Sequence, residues 1–374
     1  MITNIRIGNF KLHENTSIDL GNLTILTGMN GMGKSSIIQA LLLLRQSDVG
    51  AARLNSLNLK GELCDIGASG GLACQASASH NFEVGIKMGN GTKYDFAFEY
   101  PDDIYDTELK AIDPTIDLSG DEKCPIFTAD FQYIGAFRFG PQKSYNRDTN
   151  IVKTKRQISK EMGQCEYVIH YLDQYKSETI PIEELASPMT TNGDLRLLSQ
   201  VELWMRLIAP NIKIYVEPME ESFKLNYKFI REESIMTDSI SAINTGFGIT
   251  YVLPIVVAVL SARRGSIILI ENPEAHIHPK GQAVLMSLLA LAAKNGVQII
   301  IETHSDHIVN GALVSIVEKT ITADMLSVYF FDRDEGNHTS TSQKLLTTEK
   351  GRIKNPPKDF FDQIDLDLKT IMGF

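Results

Sequence analysis

Eight consecutive residues near the start of the chain have the types and spacing of a phosphate-binding loop. The segment Gly28-Met-Asn-Gly-Met-Gly-Lys-Ser35 fits the pattern G-x-x-x-x-G-K-[ST] without deviation. Glycines let consecutive backbone N–H groups turn inward onto phosphate oxygens, Lys34 adds a positive charge, and the Ser35 hydroxyl is placed to ligate Mg²⁺. We therefore predict a nucleotide and Mg²⁺ site in this loop, formed by Gly28, Asn30, Gly31, Gly33, Lys34, Ser35 and Ser36.

A second group of polar residues follows an apolar segment at residues 266–270. The order Ser-Ile-Ile-Leu-Ile predicts a buried strand, and Glu271, Asn272 and Glu274 come directly after it. In a parallel sheet, the carboxyl ends of the strands face the ligand crevice. A carboxylate there can hold Mg²⁺, and a second one can orient the water that attacks a phosphate. We therefore predict that Glu271 is a metal ligand and that Glu274 acts on the water.

Histidines also follow the predicted strands. Residues 297–301 predict another buried strand, and Glu302-Thr-His304-Ser comes after it. A histidine at such a strand end can donate a hydrogen bond to the γ-phosphate, so we predict a catalytic role for His304. The pair His276 and His278 could ligate a metal, but Mg²⁺ prefers oxygen ligands and no third ligand is obvious. We expect surface or interface packing for this pair.

Strands alternating with helices must position these groups. Apolar patterns predict strands at residues 2–10, 16–20, 23–27, 80–100, 266–270 and 297–301. Helix patterns cover residues 36–44, 246–262 and 281–294. This alternation implies an α/β fold with a doubly wound, mainly parallel sheet. We predict a P-loop NTPase core with an N-terminal antiparallel β subdomain.

Residues 141–239 differ in character from the segments on either side. They begin with a basic, polar stretch, and they continue with helix patterns at residues 161–176 and 195–207 and a pair of strands at 211–230. We interpret them as a mixed α/β insertion or lid. The predicted domains are a first part of the core at 1–140, the insertion at 141–239, and a second part of the core at 240–374.

The composition is that of a globular protein, with 43% hydrophobic and 22% charged residues. The net charge of -10 gives no attraction of the whole chain to phosphate backbones or anionic membranes, so nucleic-acid binding would need a local basic patch. The sequence shows neither a signal peptide nor an apolar run long enough to span a bilayer. We expect a cytoplasmic protein with no membrane contact.

Together these motifs resemble the ABC-type ATPases related to the structural-maintenance-of-chromosomes (SMC) proteins. The likeness is greatest to the overcoming-lysogenisation-defect-like (OLD-like) AAA ATPases. Three segments carry it: the opening with its Gly28–Ser35 loop, Glu271-Asn-Pro-Glu-Ala-His-Ile-His-Pro279, and Glu302-Thr-His-Ser305. The tail at residues 355–362 also resembles compact members of this group.

The resemblance implies ATP and Mg²⁺ as cofactors and a homodimer that holds ATP between its two copies, with higher oligomers left open. A signature loop of one copy would meet the phosphate loop of the other. The matching segment is Asn244-Thr-Gly246-Phe-Gly248, whose glycines would offer backbone N–H groups to the γ-phosphate. The family usually has Ser where this chain has Asn244, and Asn can still donate a hydrogen bond.

The strand end departs from the Asp-Glu pair of most ABC ATPases, because Asn272 occupies the position of the catalytic base. Asparagine cannot accept a proton, so either Glu274 does so or ATP turnover is slow. OLD-like relatives commonly carry a C-terminal Toprim nuclease domain. Residues 305–374 are too few for one, and Asp332-Arg-Asp334 predicts a hairpin turn. We therefore expect the ATPase without the nuclease.

Three interpretations of the function remain open. The first is an ATP-driven dimer that senses or regulates a separately encoded effector, in anti-phage defence by family analogy. The second is a DNA-clamping ATPase with a basic stretch formed by Lys143, Arg147, Lys153, Lys155, Arg156 and Lys160. A solvated, mobile loop would explain the same charges. The third is a nucleotide-gated scaffold that binds ATP and barely hydrolyses it, as Asn272 suggests.

Overall fold

The described part of the chain forms three β-sheets and seven α-helices. A computed structural model describes residues 1–48, 50, 53–118, 123–231, 235–358, 360–361 and 363–372. Asp359 and Asp362, in the tail that resembles compact family members, lie outside the described residues.

The strands and helices follow one another along the chain with these bounds. The strands are β1 (Ile2–Phe10), β2 (His13–Asp19), β3 (Leu23–Gly28), β4 (Ser56–Asn58), β5 (Asn81–Met88), β6 (Lys93–Glu99), β7 (Glu108–Ala111), β8 (Phe131–Ile134), β9 (Tyr145–Asn146), β10 (Ile212–Pro218), β11 (Ser222–Phe229), β12 (Ile240–Ser241), β13 (Ile267–Glu271), β14 (Gln298–Glu302), β15 (Leu326–Asp334) and β16 (Thr339–Leu345). The α-helices are α1 (Lys34–Ser47), α2 (Val168–Tyr175), α3 (Leu197–Ile208), α4 (Phe247–Ser261), α5 (Pro279–Lys294), α6 (Asp306–Val317) and α7 (Gln363–Met372). Within the described ranges, no helix is both long and apolar enough to cross a membrane.

The central sheet has the strand order β16-β15-β3-β14-β13-β8. Its strands pair in parallel from β8 to β15, and only the edge strand β16 is antiparallel to its neighbour. Because β14 lies between β3 and β13, the phosphate loop after β3 and the acidic residues after β13 face the same edge of the sheet, two strands apart. The predicted α/β fold with a mainly parallel sheet is confirmed.

Both faces of the central sheet are covered, which explains its continuous apolar strands. Along β13, Ile268 and Ile270 pack into a cluster with α4 and α5, whereas Ile267 and Leu269 pack into a second cluster with α1 and the first sheet. All four side chains are fully buried. A parallel strand covered on both faces needs apolar residues at every position, as the sequence shows here.

The first sheet is antiparallel, with the order β2-β1-β5-β6-β7-β4. It is the antiparallel N-terminal part that the alternating pattern of residues 2–10 predicts. Phe82 and Phe98 from this sheet pack into the same cluster as α1. The sheet therefore covers the helix that follows the phosphate loop.

Residues 141–239 contribute α2, α3 and the strands β9, β10 and β11 of a small sheet. Its order is β10-β11-β12, β9 also pairs with β11, and β12 follows the segment directly. Trp204 of α3 and Tyr227 of β11 are buried in one cluster with α4 and α5. This segment therefore shares a core with the C-terminal part of the chain. The domain boundaries at residues 140 and 240 stay predictions.

The helix predicted at residues 161–176 is shorter in the structure, because α2 begins only at Val168. Ahead of it, the Glu166 carboxylate accepts hydrogen bonds from the backbone N–H groups of Lys160, at 2.8 Å, and Glu161, at 3.0 Å. Side-chain bonds to nearby backbone groups compete with helix formation. The prediction was wrong for the first part of this segment for that reason.

The hairpin predicted near Asp332 and Asp334 is confirmed. Asp334 ends β15 and Asp332 lies two residues before it, and the chain turns back at residues 335–338 into the antiparallel strand β16. The Asp334 carboxylate accepts hydrogen bonds from the backbone N–H groups of Gly336, at 2.8 Å, and Asn337, at 3.0 Å. These bonds fix the turn, since Asp commonly bonds the backbone two residues on.

Candidate functional site

The phosphate loop joins β3 to α1. Gly28 ends the strand, Gly33 precedes the helix with a φ of 96°, and Lys34 is the first helical residue. No side chain caps the N-terminus of α1. Its first backbone N–H groups and the positive end of its dipole therefore face the space in front of the loop, as anion binding requires.

Two hairpins support this loop from behind. His13, at the start of β2, places Nε2 2.9 Å from the Gly33 carbonyl oxygen, and Ser340 of β16 donates to the Met32 carbonyl at 2.6 Å. A Cβ atom on Gly33 would lie only 2.8 Å from His13 Nε2 and 2.9 Å from Ser340 Oγ. Burial lowers the pKa of His13, which favours the neutral imidazole at this contact.

Lys34 is buried, with 3% of its surface exposed. Its ammonium donates hydrogen bonds to the carbonyl oxygens of Gly28, at 2.9 Å, and Met29, at 2.6 Å. Burial lowers the pKa of Lys34, and the Glu302 carboxylate opposes that shift. The Lys34 ammonium thus donates its hydrogen bonds to uncharged carbonyl oxygens. A buried cation in such surroundings favours the binding of an anion close to it.

A cavity of about 520 Å³ opens in front of the loop. Its size lies within the range of roughly 300–1,000 Å³ that is usual for ligand pockets. Its lining combines the loop with the ends of β13 and β14: Asn30, Gly31, Gly33, Lys34, Ser35, Ser36, Glu271, Asn272, Glu302 and His304. The structure thus brings the phosphate loop and the strand-end polar groups to one cavity.

A larger cavity, of about 950 Å³, lies at the end of α1. Its lining mixes Lys60 and Lys160 with Glu62 and Asp65, and Lys160 already pairs with Glu62 at 3.2 Å. We place the phosphate site in the smaller cavity, because an uncapped helix N-terminus, a buried lysine and carboxylates meet there.

Glu271, the predicted metal ligand, lines the cavity at the end of β13. Its Oε1 accepts a hydrogen bond from the Tyr133 hydroxyl at 3.1 Å, and its Oε2 accepts one from the Ala136 N–H at 3.1 Å. Burial raises the pKa of Glu271, while these two donors lower it. Both oxygens therefore already have a protein donor, and the metal role stays a prediction.

Glu302 was not predicted as a site residue, yet it lines the cavity. Its Oε1 accepts a hydrogen bond from the Ser35 hydroxyl at 2.8 Å. Burial, followed by the nearby Glu271 charge, raises the pKa of Glu302 to about 7. The signal was present in the sequence, because Glu302 follows a buried strand directly, as Glu271 does.

Arg138 was also not predicted, and it fixes the turn after β13. Only 2% of its surface is exposed. Its guanidinium donates to the carbonyl oxygens of Glu271 and Asn272, both at 2.7 Å, and of Tyr251 in α4, at 2.9 Å. A single arginine in a loop gives no sequence pattern from which this position could be found.

Glu274, the residue predicted to act on water, lies beside the cavity rather than among its described lining residues. Its carboxylate accepts hydrogen bonds from the Thr303 hydroxyl, at 2.8 Å, and from the His304 N–H, at 2.9 Å. His304 itself lines the cavity, and burial, together with the Lys34 charge, lowers its pKa. The catalytic roles of Glu274, His304 and Asn272 stay predictions.

Asn244, Gly246 and Phe247 are exposed, Thr245 and Gly248 are half-buried, and none of the five is among the described residues that line the cavity. Gly246 precedes α4, whose N-terminus has no side-chain cap. Gly248 packs closely on the His276 carbonyl. Within one protomer, therefore, the structure does not bring this loop to the phosphate loop.

The two histidines after β13 make structural contacts. His276 packs on the rings of Phe247, at 4.7 Å, and Tyr251, at 5.0 Å. His278 precedes α5 and accepts a hydrogen bond from the Lys280 N–H at 3.2 Å. This arrangement agrees with the expectation of packing for the pair.

The cavity is lined by oxygen atoms of the kind that ligate Mg²⁺. Across the described ranges, no group of three or more His, Cys, Asp or Glu side chains is arranged to hold a metal ion. A magnesium ion bound together with a nucleotide needs only one or two carboxylates, because phosphates and water complete its octahedron. The Ser35 hydroxyl and the carboxylates of Glu271 and Glu302 fit that need.

Three cations of the basic stretch are already engaged. Arg147 stacks over Phe223 at 4.3 Å, Arg156 stacks over Tyr175 at 4.6 Å, and Lys160 forms its ion pair with Glu62. Half of the six basic residues therefore contact other side chains of the same chain.

The model of the AAA ATPase domain family AAA_15 matches residues 1–119 and 130–309. The chain belongs to this family. A second model, of a family described as a protein of unknown function (DUF3696), matches residues 321–371 of this AAA ATPase. No curated protein sequence matches the chain.

Solved structures of SMC heads are similar to this AAA ATPase. The SmcHead bound to the C-winged helix domain of ScpA shares 14% identity and a TM-score of 0.53, over 92% of this chain and 98% of that one. The SMC head domain from Thermotoga maritima shares 10% identity and a TM-score of 0.46, over 92% of this chain and 98% of that one. The first likeness shows that the AAA ATPase has the P-loop NTPase fold of an SMC head.

Proposed function

We propose that this AAA ATPase binds ATP with Mg²⁺ in the cavity in front of the phosphate loop and hydrolyses it. The observation that carries the proposal is the meeting of Lys34 with the carboxylates of Glu271 and Glu302 in one cavity. The loop and the helix N-terminus suit the phosphates, and the carboxylates suit the metal. When bound, Mg²⁺ would neutralise charge on the β- and γ-phosphates, with Ser35 and Glu271 among its ligands.

We assign the water-activating role to Glu274 and phosphate sensing to His304. The hydrogen bond from the His304 N–H to Glu274 supports a coupling of the two, since the carboxylate position depends on the histidine backbone. Asn272 occupies the usual base position and can orient a water but cannot accept its proton.

The test of catalysis is phosphate release from ATP with Mg²⁺. We expect turnover by the wild type and its loss in Glu274→Gln, with ATP binding retained. Glu318→Gln on the exposed surface is the matched control and should keep wild-type turnover. Normal turnover in Glu274→Gln would remove Glu274 from the mechanism.

A dimer that holds ATP between two copies completes this proposal. The segment with Asn244, Gly246 and Gly248 does not line the cavity of its own chain. Helix α4 begins within this segment, and no side chain caps its first N–H groups. Both observations support contact with the ATP of a partner copy. Gly246→Asp offers a clean test, because a Cβ atom at Gly246 meets no atom within 4 Å and its φ of -56° suits any residue.

The Gly246→Asp protomer should fold and bind ATP but fail to dimerise, because its carboxylate would face the γ-phosphate of the partner. Light scattering with ATP measures this, and Gly246→Ser is the control that should still dimerise. A normal ATP-dependent dimer of Gly246→Asp would refute the assignment of this loop.

A nucleotide-gated scaffold is the second candidate. Two observations favour the scaffold. Asn272 stands at the base position, and both carboxylate oxygens of Glu274 already accept hydrogen bonds, from Thr303 and His304. ATP-dependent dimerisation without phosphate release by the wild type would establish this alternative.

We further propose that this is an OLD-like ATPase of the cytoplasm that regulates a separately encoded effector, with anti-phage defence as the role suggested by analogy. The solved SMC head bound to a ScpA domain supports partner binding by this fold. Co-purification with the product of a neighbouring gene tests this role. We rank DNA clamping lower because of the engaged basic residues, and a gel shift that weakens steeply with salt would reverse that order.

A further inference from the structure

Glu302 lies between the two segments from which the sequence predicts the site. In the parallel register of the central sheet it pairs with Leu26 of β3, just ahead of the phosphate loop, and with Glu271 of β13. Only 6% of its surface is exposed. The strand order therefore places the buried Glu302 carboxylate beside the phosphate loop. It is one strand away from β3, whereas Glu271 is two strands away.

The two oxygens of this carboxylate differ in their surroundings. Oε1 accepts the hydrogen bond from the Ser35 hydroxyl at 2.8 Å. Oε2 is buried, and in the described structure it has no hydrogen-bond partner. A buried carboxylate oxygen without a donor is costly, and an ion is one of the few explanations for it. Glu302 also lines the cavity, so its carboxylate lies beside the space that the metal ion of a nucleotide would occupy.

We propose that Glu302 is a carboxylate ligand of the magnesium ion that accompanies the nucleotide, acting beside Ser35. This inference rests on the proposed ATP binding. Its chemistry is that of Mg²⁺, which takes oxygen ligands and is bound through one or two carboxylates plus phosphates. The contrast with Glu271 supports the choice, since both oxygens of Glu271 accept hydrogen bonds from Tyr133 and Ala136.

The proposal also accounts for Asn272. The second carboxylate of this sheet edge comes from β14 instead of from residue 272, and the Asn272 N–H donates to the Glu302 carbonyl at 2.9 Å. The edge therefore keeps two carboxyl side chains, Glu271 and Glu302, although only one follows β13.

Titration calorimetry of the full chain with ATP, in excess Mg²⁺ and in excess EDTA, tests this role. Glu302→Gln keeps the side-chain shape and an oxygen that can accept from Ser35, but it removes the charge. We expect Mg²⁺ to strengthen ATP binding by the wild type, and Glu302→Gln to lose about 10- to 100-fold of that gain. In EDTA the variant should bind ATP at least as tightly as the wild type, because one repulsive charge is gone.

Glu271→Gln is the matched comparison and should lose less of the gain than Glu302→Gln. The spectrum of Mn²⁺ bound with a non-hydrolysable ATP analogue, measured by electron paramagnetic resonance, gives a second readout and should change in Glu302→Gln. An equal loss with and without Mg²⁺ would show that Glu302 only positions Ser35, and an unchanged gain would also overturn the proposal. Failure of the wild type to bind ATP at all would instead refute the proposed function.

Discussion

Arg138 donates a hydrogen bond from Nη2 to the carbonyl oxygen of Asn272 at 2.7 Å. Asn272 has a φ of 45°, which is uncommon for a residue other than glycine. The same guanidinium bonds the Glu271 carbonyl and stacks over the Tyr251 ring at 4.2 Å. One buried cation therefore links the turn after β13 to helix α4.

Replacement of this guanidinium should destabilise the fold. A lysine cannot reproduce the planar fork of donors, so Arg138→Lys should leave buried carbonyls unpaired and lower the free energy of unfolding by about 2–4 kcal/mol. Urea unfolding measures this change. Arg264→Lys is the matched control, because Arg264 is exposed and solvent screens its ion pair with Glu184, so we expect little change in stability. Equal effects of the two variants would contradict this role of Arg138.

Lys34→Ala should remove nucleotide binding. The variant loses the buried charge that faces the phosphates, and we expect the affinity for ATP to fall at least about 100-fold. Titration with a fluorescent ATP analogue gives this affinity. Lys294→Ala at the exposed end of α5 should bind like the wild type. Normal ATP binding by Lys34→Ala would place the nucleotide elsewhere.

Gly33→Ala and Gly31→Ala should differ, although both glycines have positive φ. A methyl group at Gly33 would lie 2.8 Å from His13 Nε2, whereas one at Gly31 meets no atom within 4 Å. We expect Gly31→Ala to cost about 1–2 kcal/mol from the backbone alone, and Gly33→Ala to cost more and to weaken ATP binding. Thermal unfolding and ATP titration of both variants check this order, which a milder Gly33→Ala would contradict.

Acid should weaken the support of the phosphate loop through His13. Burial lowers the pKa of this imidazole below its ordinary value of 6.5, so below that pH the unfolded chain binds a proton that the folded chain resists. The share of stability due to neutral His13 is thus present above pH 6.5 and is lost as the pH falls towards the folded pKa.

Urea unfolding of the wild type and His13→Gln, at about pH 7.5 and about pH 5.5, tests this sign. The advantage of the wild type over His13→Gln should shrink at the lower pH. The exposed His80→Gln variant should show no such change. A wild-type advantage that grows in acid would mean that His13 is stabilised as the cation.

The sequence was sufficient where a contact is local. An apolar run and a helix-forming run on either side of the glycines predict a strand at 23–27 and a helix at 36–44, and the structure has β3 at Leu23–Gly28 and α1 at Lys34–Ser47, so the loop between them could be predicted. The buried strand β13 and its terminal Glu271 could be predicted for the same reason.

The place of Glu302 after a buried strand marks it as a candidate, but its contact with Ser35 could not be predicted, because that contact depends on strand order. The residues around Glu302 give no sequence signal that β14 lies between β3 and β13. Only that order brings Glu302 to Ser35, 267 residues away along the chain. The Arg138 contacts have the same origin, since their acceptors lie 113 or more residues away, apart from the Gly135 carbonyl.

Strand β3 is paired on both sides by strands made much later, β14 and β15, and Ser340 of β16 bonds the loop itself. During synthesis Met32 therefore emerges from the ribosome 308 residues before Ser340, the last of the supports of the loop. Until β16 has left the ribosome, the Met32 carbonyl lacks the hydrogen bond that Ser340 donates to it. We therefore expect the loop to be complete only after translation has passed the hairpin of β15 and β16.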